Sequence, residues 1–234
     1  MPRSVGRADL LLADSESTRQ DLIELLGVPQ ERVTVVYAGV EERFTEAKRG
    51  ADQEAILQRY GIRRPYILGL GTLQPRKNLS RLIAAYRKSG LNEPLVLAGK
   101  RGWYYEQLIK EAGSGVRFIG YVDEVDKPAL LSGAQAFAFP SLYEGFGFPV
   151  LEAMACGVPV LCSNTSSLPE VAGDAALLVD PSSTADIAAG LQRLMRDVDL
   201  RQTLIARGLE QARRFTWEQC ADTVLSVFEE VLRT

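Results

Sequence analysis

Short runs of wholly apolar residues alternate with amphipathic segments along most of the chain. The apolar runs predict strands at Leu10–Ala13, Val33–Tyr37, Tyr66–Leu70, Leu95–Ala98, Val116–Ile119, Ala136–Phe139, Val158–Leu161 and Ala176–Val179. The helical periodicity predicts helices at about 17–26, 52–60, 79–89, 103–112, 124–132, 148–156, 184–196, 198–214 and 217–232. Runs that are apolar throughout are typical of strands covered on both faces. The alternation therefore predicts an α/β fold with a parallel, Rossmann-like sheet flanked by helices.

Polar residues at several predicted helix starts agree with this pattern. Three pairs have the spacing of a capping box: Ser17 with Gln20, Ser183 with Asp186, and Thr216 with Gln219. Asn78, directly before the helix at 79–89, is a further predicted N-cap.

A polar stretch without periodicity at residues 41–51 marks a boundary. Before it lie only a strand, a helix and a strand, which are too few to bury a core. After it, six strands follow in unbroken alternation with helices. We therefore predict an incomplete front part at 1–44, a complete domain at 45–215 and a final helix at 216–234. The front part is either the remnant of a larger unit or a segment that packs on a partner.

Composition narrows the functional classes. The 234 residues are 46% hydrophobic and 24% charged, as in globular proteins. The 27 basic and 30 acidic side chains form no blocks of like charge, so we expect no nucleic-acid partner. Histidine is absent, which excludes Ser-His-Asp triads, Cys-His pairs and histidine-ligated metal sites, and no metal site is predicted. Three cysteines without a C-x-x-C pair favour a reduced, cytoplasmic setting, and we expect neither a cleavable signal nor a membrane span.

The first candidate site follows the third predicted strand, in the segment Gly71–Asn78. Arg76 and Lys77 lie where a helix begins, and the unpaired N–H groups of a helix start already favour an anion. Arg76 suits bidentate contact with a phosphate, and Lys77 adds a compact charge. The alternative is an ordinary solvated basic loop.

The second candidate site is the segment Tyr143–Glu152, which follows the sixth predicted strand. Gly145 and Gly147 allow close approach of a ligand to the backbone. Glu144 faces the crevice at the end of the strand, and Glu152 lies in the second turn of the next helix, where a carboxylate can accept from a diol. Two glutamates at this spacing are commonly just solvated. No G-x-G-x-x-G or P-loop fingerprint is present, which argues against a redox dinucleotide or a P-loop nucleotide site.

These residues resemble the signature of the retaining glycosyltransferases of family four, which have the GT-B fold. The resemblance is carried by Glu144–Val160, Gly71–Asn78, Phe118–Val122, Ser167–Ala176 and Phe215–Trp217. These segments follow one another in the order that the family shows, from about residue 66 to residue 217.

The resemblance implies a nucleotide-sugar donor site with no cofactor. It assigns donor binding to Arg76, Lys77, Tyr121, Val122, Gly145, Phe146, Gly147 and Glu152, and a catalytic role to Glu144. In the family, the cations and loop amides hold the diphosphate, and the second glutamate binds the ribose. The first glutamate lies beside the transferred sugar, and backbone groups at 121 and 122 receive the base. Many relatives carry a basic residue that contacts the diphosphate at the position of Thr72. We expect Arg76 to take over that contact here.

The family transfers a sugar to an acceptor hydroxyl with retention of configuration and without a bound divalent metal. A retaining glycosidase also uses two carboxylates, but there both flank one bond. The Pro-Arg-Lys-Asn string resembles mannosyltransferases of polysaccharide assembly, which favours GDP-mannose among GDP- and UDP-linked donors. The chain resembles the end of the acceptor domain followed by the whole donor domain. We therefore expect either a fragment of a longer enzyme or a chain whose acceptor domain is supplied by a partner. We expect the intact enzyme to be cytoplasmic or membrane-peripheral.

Three alternatives remain at this point. The first is a non-catalytic nucleotide-sugar-binding module, and the second is a subunit of a split two-chain glycosyltransferase. The third is a flavodoxin-like or redox Rossmann protein, although the sequence has no dinucleotide-binding fingerprint. The last helix bears on its partners, because its apolar residues recur at intervals of three and four. They are Trp217, Cys220, Ala221, Val224, Leu225, Phe228, Val231 and Leu232. This stripe either packs on its own domain or, as the family's crossover helix implies, predicts self-association or pairing with residues 1–40.

Overall fold

The protein is described by a computed structural model that covers residues 2–45, 51–102 and 105–233. Its strands are β1 (Leu11–Ala13), β2 (Val33–Val35), β3 (Ile67–Leu70), β4 (Leu95–Ala98), β5 (Val116–Gly120), β6 (Ala136–Phe139), β7 (Val160–Ser163) and β8 (Ala176–Val179). Its first six helices are α1 (Pro2–Val5), α2 (Glu16–Leu26), α3 (Glu42–Thr45), α4 (Ala51–Arg59), α5 (Leu79–Ser89) and α6 (Tyr105–Ala112). The others are α7 (Lys127–Gly133), α8 (Phe148–Ala155), α9 (Leu168–Ala172), α10 (Thr184–Arg196), α11 (Val198–Ala212) and α12 (Trp217–Arg233).

The predicted strands and helices are confirmed, with ends that shift by no more than three residues. The predicted start of the helix at 103–112 and residues 46–50 of the predicted boundary at 41–51 lie outside the described residues. The short helices α1, α3 and α9 were not predicted, because their four or five residues are too few to show a period.

Strands β3 to β8 form one parallel sheet in the order β5-β4-β3-β6-β7-β8. Ile67 of β3 pairs with Leu95 of β4 on one side and with Ala136 of β6 on the other. The chain therefore winds outward from β3 in one direction and then outward from β6 in the other. This doubly wound order confirms the predicted Rossmann-like fold, and it opens a crevice at the carboxyl ends of β3 and β6.

The buried side chains of the sheet divide between its two faces. Leu68 and Phe137 belong to a core that includes residues of α8, whereas Ile67 and Leu97 belong to a core that includes residues of α5 and α10. This division follows from the alternation of side chains along a strand. Both faces are covered, as the wholly apolar runs predicted.

The front part of the chain forms a two-stranded parallel sheet of its own. Leu11 of β1 pairs with Val33 of β2. Its small apolar core consists of Ala13, Val28 and Val33. The strand-helix-strand unit is thus present as predicted, and it lies outside the six-stranded sheet.

The predicted cap at Ser17 is wrong, because the side chain that caps α2 is that of Ser15. Its Oγ accepts from the Thr18 amide at 3.0 Å, so the helix begins at Glu16. The other two caps are confirmed. Ser183 accepts from the Asp186 amide at 3.1 Å, and Thr216 accepts from the Gln219 amide at 3.2 Å.

The final helix α12 contacts the front part through its first turn. The Val40 amide donates to the Phe215 carbonyl at 3.0 Å. A Cβ on Gly39 would lie 2.3 Å from the Trp217 amide nitrogen, so only glycine allows this approach. Farther along, Leu225 and Phe228 remain about 60% exposed. The apolar stripe is therefore largely uncovered, and self-association stays a prediction. None of the described helices is long and apolar enough to cross a membrane.

Asn78 occupies the N-cap position of α5, but its side chain does not cap the helix, which corrects the prediction. The backbone is left-handed at φ 58°, and the side chain turns inward. Its Nδ2 donates to the carbonyls of Pro140 at 2.9 Å and Pro181 at 2.7 Å, and it is buried. Asn78 thus connects the segments that follow β6 and β8 to the start of α5.

Asn78→Asp should lower the free energy of unfolding, since a carboxylate tolerates the left-handed backbone but cannot donate to the two carbonyls. We expect a loss of about 1–3 kcal/mol, measured by urea unfolding. Asn92→Asp, at an exposed position, is the matched control. An equal loss in both variants would contradict this assignment.

Candidate functional site

The two predicted motifs meet at the carboxyl ends of β3 and β6. The segment 71–78 follows β3, and the segment 140–147 follows β6. The Leu142 amide donates to the Arg76 carbonyl at 2.9 Å, so the two loops are joined through their backbones. The switch point of the sheet therefore carries both sets of candidate residues.

Glu144 forms ion pairs with both predicted cations. Its Oε1 lies 2.7 Å from Lys77 Nζ, and its Oε2 lies 2.6 Å from Arg76 Nη1. The Glu144 side chain is only 8% exposed and that of Lys77 only 11%. Two cationic side chains thus face one carboxylate, which leaves positive charge in excess.

Lys77 is held in apolar as well as charged surroundings. Its Nζ lies 4.5 Å from the centre of the Phe139 ring. Burial lowers the pKa of Lys77, and the contact with Glu144 opposes this shift. The nearby carboxylate of Glu144 therefore favours the charged form of Lys77.

The backbone of the Glu144–Gly147 loop is held by serine and threonine hydroxyls. Ser167 Oγ lies 3.0 Å from the Glu144 carbonyl and 2.7 Å from the Phe146 carbonyl. On the opposite side, Ser15 Oγ lies 2.6 Å from the Gly145 carbonyl.

These contacts set the direction of the loop amides. In a trans peptide the N–H points away from the carbonyl of the preceding residue. The amides of Gly145 and Gly147 are therefore directed away from Ser167, and the amide of Phe146 is directed away from Ser15. None of the three donates to an acceptor in the described part of the chain. Gly147, at φ 117°, precedes the first residue of α8, which favours an anion further.

Phe146 explains why a loop carries aromatic residues at this place. Its buried ring lies 5.0 Å from that of Phe148 and 5.8 Å from that of Phe215. The aromatic cluster anchors the loop between the start of α8 and the end of α11.

A cleft of about 280 Å³ lies beside the ion-pair cluster of Arg76, Lys77 and Glu144, at the ends of β3, β4 and β5. Its lining includes Gly71, Thr72, Gly99, Lys100, Tyr121, Val122, Glu124 and Lys127. Tyr121 is half exposed, and Lys100 Nζ lies 5.0 Å from the centre of its ring. Gly71 lines the cleft and also contacts Lys77, since a Cβ at residue 71 would lie 3.2 Å from Lys77 Cε. The cleft and the ion-pair cluster are therefore neighbours.

Glu152 lies in the second turn of α8, as predicted, and is mostly buried. Its Oε2 has no hydrogen-bond partner among the described residues. Burial raises the pKa of Glu152, Lys127 opposes this shift, and Glu124 adds to it. Lys127 and Glu124 both line the cleft, so charged groups of the cleft influence the pKa of Glu152. Glu152 makes no ion pair with Arg76 or Lys77 in the described ranges.

The structure thus brings Arg76, Lys77 and Glu144 into direct contact, with the loop amides beside them. Tyr121 and Val122 lie apart from these residues, across the neighbouring cleft. The hydroxyls of Ser15 and Ser167 were not predicted as site residues. Ser167 stands in the segment Ser167–Ala176, to which the family resemblance assigned no role. Ser15 comes from the front part, where no motif indicated a site. Among the described residues, no group of three acidic or cysteine side chains could hold a metal ion.

Residues 52–211 match the family described as Glycosyl transferases group 1, over more than half of the chain. The chain belongs to this glycosyltransferase family. Its relatives include the O-antigen chain mannosyltransferase B of Escherichia coli, which is 38% identical over 97% of this chain and 62% of its own length. The serotype-specific mannosyltransferase WbdA of the same species is 33% identical over 97% of this chain and 29% of its own length.

Solved glycosyltransferases share the fold of this family member. HepE of Anabaena, solved with UDP and glucose, matches with a TM-score of 0.86 at 21% identity, over 95% of this chain and 64% of that one. Sucrose-phosphate synthase of Thermosynechococcus elongatus matches with a TM-score of 0.84 at 24% identity, over 99% of this chain and 60% of that one. The predicted Rossmann-like domain of a GT-B fold is thus confirmed, and the chain spans under two thirds of the length of these proteins.

The raised pKa of Glu152 predicts that the stability of this glycosyltransferase domain depends on pH. A carboxyl group with a raised folded pKa stabilises the fold below its ordinary pKa, and this contribution is lost as the pH rises through the folded pKa. Glu152→Gln stays uncharged. Its free energy of unfolding relative to the wild type should therefore rise between about pH 4 and pH 7. Urea unfolding at each pH measures it.

Glu210→Gln, at an exposed position on α11, should follow the wild-type pH profile as a control. A constant difference between Glu152→Gln and the wild type across this range would argue against a buried, ionisable Glu152.

Proposed function

We propose that this chain is the donor-binding part of a retaining glycosyltransferase that moves a hexose, mannose by preference, from a nucleotide sugar to an acceptor hydroxyl. The observation that carries the proposal is the cluster of Arg76, Lys77 and Glu144. It lies beside the Gly145–Gly147 loop, whose amide N–H groups donate to no acceptor among the described residues. It combines cationic side chains, backbone donors and a carboxylate at the switch point of a doubly wound sheet.

The diphosphate of the donor suits the cationic side of this cluster. Lys77 and Arg76 offer charge-assisted hydrogen bonds, and the loop amides at the start of α8 offer further donors. A diphosphate carries more negative charge than the single carboxylate that now pairs with both cations. Its arrival therefore releases Glu144 from at least one ion pair and leaves that carboxylate beside the bond to the sugar.

The nucleoside suits the neighbouring cleft. Tyr121 and Val122 at one wall have backbone groups that recognise a base, and the volume of about 280 Å³ suits a group of that size. The unpartnered Oε2 of Glu152 is a hydrogen-bond acceptor that is already desolvated. A ribose diol supplies the donors that this oxygen lacks. The two glutamates then serve opposite ends of one ligand.

The preference for mannose rests on the curated relatives, since the first of them are named mannosyltransferases. A mannosyl donor is consistent with GDP as the nucleotide. We assign the binding of the acceptor to the parts of the relatives that this chain does not match. Transfer then requires a second domain, in the same protein or in a partner.

In the proposed reaction, the acceptor oxygen bonds to the anomeric carbon on the face that the diphosphate leaves. The bond from that carbon to the diphosphate breaks, and the proton of the acceptor hydroxyl passes to the phosphate oxygen that leaves from the same face. Lys77, Arg76 and the loop amides stabilise the leaving group. Glu144 stabilises the positive charge that develops at the anomeric carbon.

Lys77→Ala should weaken the binding of GDP to this chain, because a buried charge-assisted contact is lost. We expect the Kd to rise about tenfold to a hundredfold in isothermal titration calorimetry. Lys88→Ala, at an exposed position near the end of α5, should bind like the wild type. Titration with UDP in place of GDP tests the nucleotide preference, and the absence of binding to both would overturn the proposed function.

Glu144→Gln should separate binding from transfer. It removes an anion that competes for Lys77 and Arg76, so the Kd for GDP should not rise. The kcat of sugar transfer should fall about a hundredfold, because the charge that stabilises the transition state is gone. Transfer is measured in a protein that joins this chain to an acceptor domain. Wild-type binding without any transfer in that protein would identify a non-catalytic module instead.

A further inference from the structure

The front part of the chain reaches directly into the proposed donor site. Ser15 Oγ lies 2.6 Å from the Gly145 carbonyl, and Thr18 Oγ1 lies 3.2 Å from the same oxygen. Close by, the Tyr143 hydroxyl donates to Asp21 Oδ2 at 2.5 Å. Ser15 is completely buried. The start of α2 therefore contacts the loop that carries Glu144.

A second contact holds the start of α2 in this place. The carboxylate of Glu170, in α9, accepts from the Glu16 amide at 2.8 and 3.1 Å and from the Tyr37 hydroxyl at 2.6 Å. The first amides of a helix have no partner within the helix, and a carboxylate there is favourable. Glu170 follows Ser167, which holds the Glu144–Gly147 loop from its other side. The loop is thus clamped between α9 and α2, and Glu170 ties these two helices together.

Ser15 links two structural features through one atom. Its Oγ accepts from the Thr18 amide at 3.0 Å, which caps α2, and contacts the Gly145 carbonyl as a donor. The Gly145 carbonyl and the Phe146 amide belong to one peptide plane and point in opposite directions. Without the hydroxyl, the plane next to a glycine is free to rotate and to turn the Phe146 amide away.

We infer that Ser15 is a positioning residue for the donor site. It fixes the Gly145–Phe146 peptide so that the Phe146 amide faces the diphosphate, and the contact of Glu170 with α2 keeps Ser15 in place. The inference rests on the proposed function only for the identity of the ligand. It assigns to the front part of the chain a share in donor binding, through preorganisation of an amide and not through contact with the ligand.

Four variants separate this role from simple capping. Ser15→Ala removes both the cap and the donor, whereas Ser15→Thr keeps a hydroxyl that can serve both. Ser183→Ala is the matched control, since Ser183 caps α10 in the same way and contacts no part of the loop. Thr18→Val, which is isosteric and keeps the cap, covers the case in which Ser15→Ala does not fold.

Affinity is the first measurement, by calorimetry with GDP. We expect Ser15→Ala to raise the Kd about fivefold or more and Thr18→Val to raise it by a smaller factor. Ser15→Thr and Ser183→Ala should stay within about twofold of the wild type. An unchanged Kd in Ser15→Ala, or an equal rise in Ser183→Ala, would overturn the inference.

The second measurement needs no ligand. Only Phe146 and Phe148 follow a glycine in this sequence, so a chain with ¹³C-carbonyl glycine and ¹⁵N-phenylalanine gives two correlated NMR signals. Loss of a hydrogen bond moves a carbonyl signal upfield. We expect this for the Gly145–Phe146 signal in Ser15→Ala, while the Gly147–Phe148 signal stays near its place. Phe148→Leu assigns the pair.

The two measurements distinguish two failures. If the wild type binds neither GDP nor UDP, the proposed function is wrong, and the NMR signal alone decides whether Ser15 holds the peptide. If the wild type binds but the Gly145 signal does not move in Ser15→Ala, the positioning role is wrong and the proposed function stands.

Discussion

The buried carboxylate of Glu144 joins the two loops on which the candidate site depends. Its two oxygens pair with Lys77 and Arg76, which follow β3, while Glu144 itself follows β6. A buried ammonium and a buried carboxylate each cost free energy unless they are paired. The pairing therefore draws the two loops together across the switch point of the sheet. A ligand with stronger negative charge would compete for the same cations, so the contact that stabilises the two loops also allows exchange for such a ligand.

Much of the fold could be predicted because its signals are local. Wholly apolar strands, periodic helices and the caps at Ser183 and Thr216 depend only on neighbours in the sequence. The placement of the two motifs also followed, since the ends of parallel strands share one edge of a sheet. The resemblance to the glycosyltransferase family added roles that no periodicity carries, and the match over residues 52–211 confirms the family.

The remainder depends on contacts between distant residues. Asn78 has the composition and position of a cap, yet two carbonyls more than sixty residues away attract its amide. Ser17 has the capping-box spacing, but Ser15 competes for the same helix and gains a second bond at Gly145. Glu144 was expected to face the crevice, and its ion pairs with the predicted cations emerge only when β3 and β6 are neighbours. Each case is a tertiary contact that overrides a local preference.

The candidate site is not contained within the segment that matches the family. Ser167 holds the Glu144 and Phe146 carbonyls from within residues 52–211, but the Gly145 carbonyl between them is held by Ser15 from outside. Because hydroxyls hold successive carbonyls of the loop from two sides, the direction of each loop amide is fixed only when both sides are in place. The same geometry makes the loop sensitive to the distance between the front part and α9, which Glu170 sets through the start of α2. Movement of the front part is thereby coupled to the direction of the loop amides.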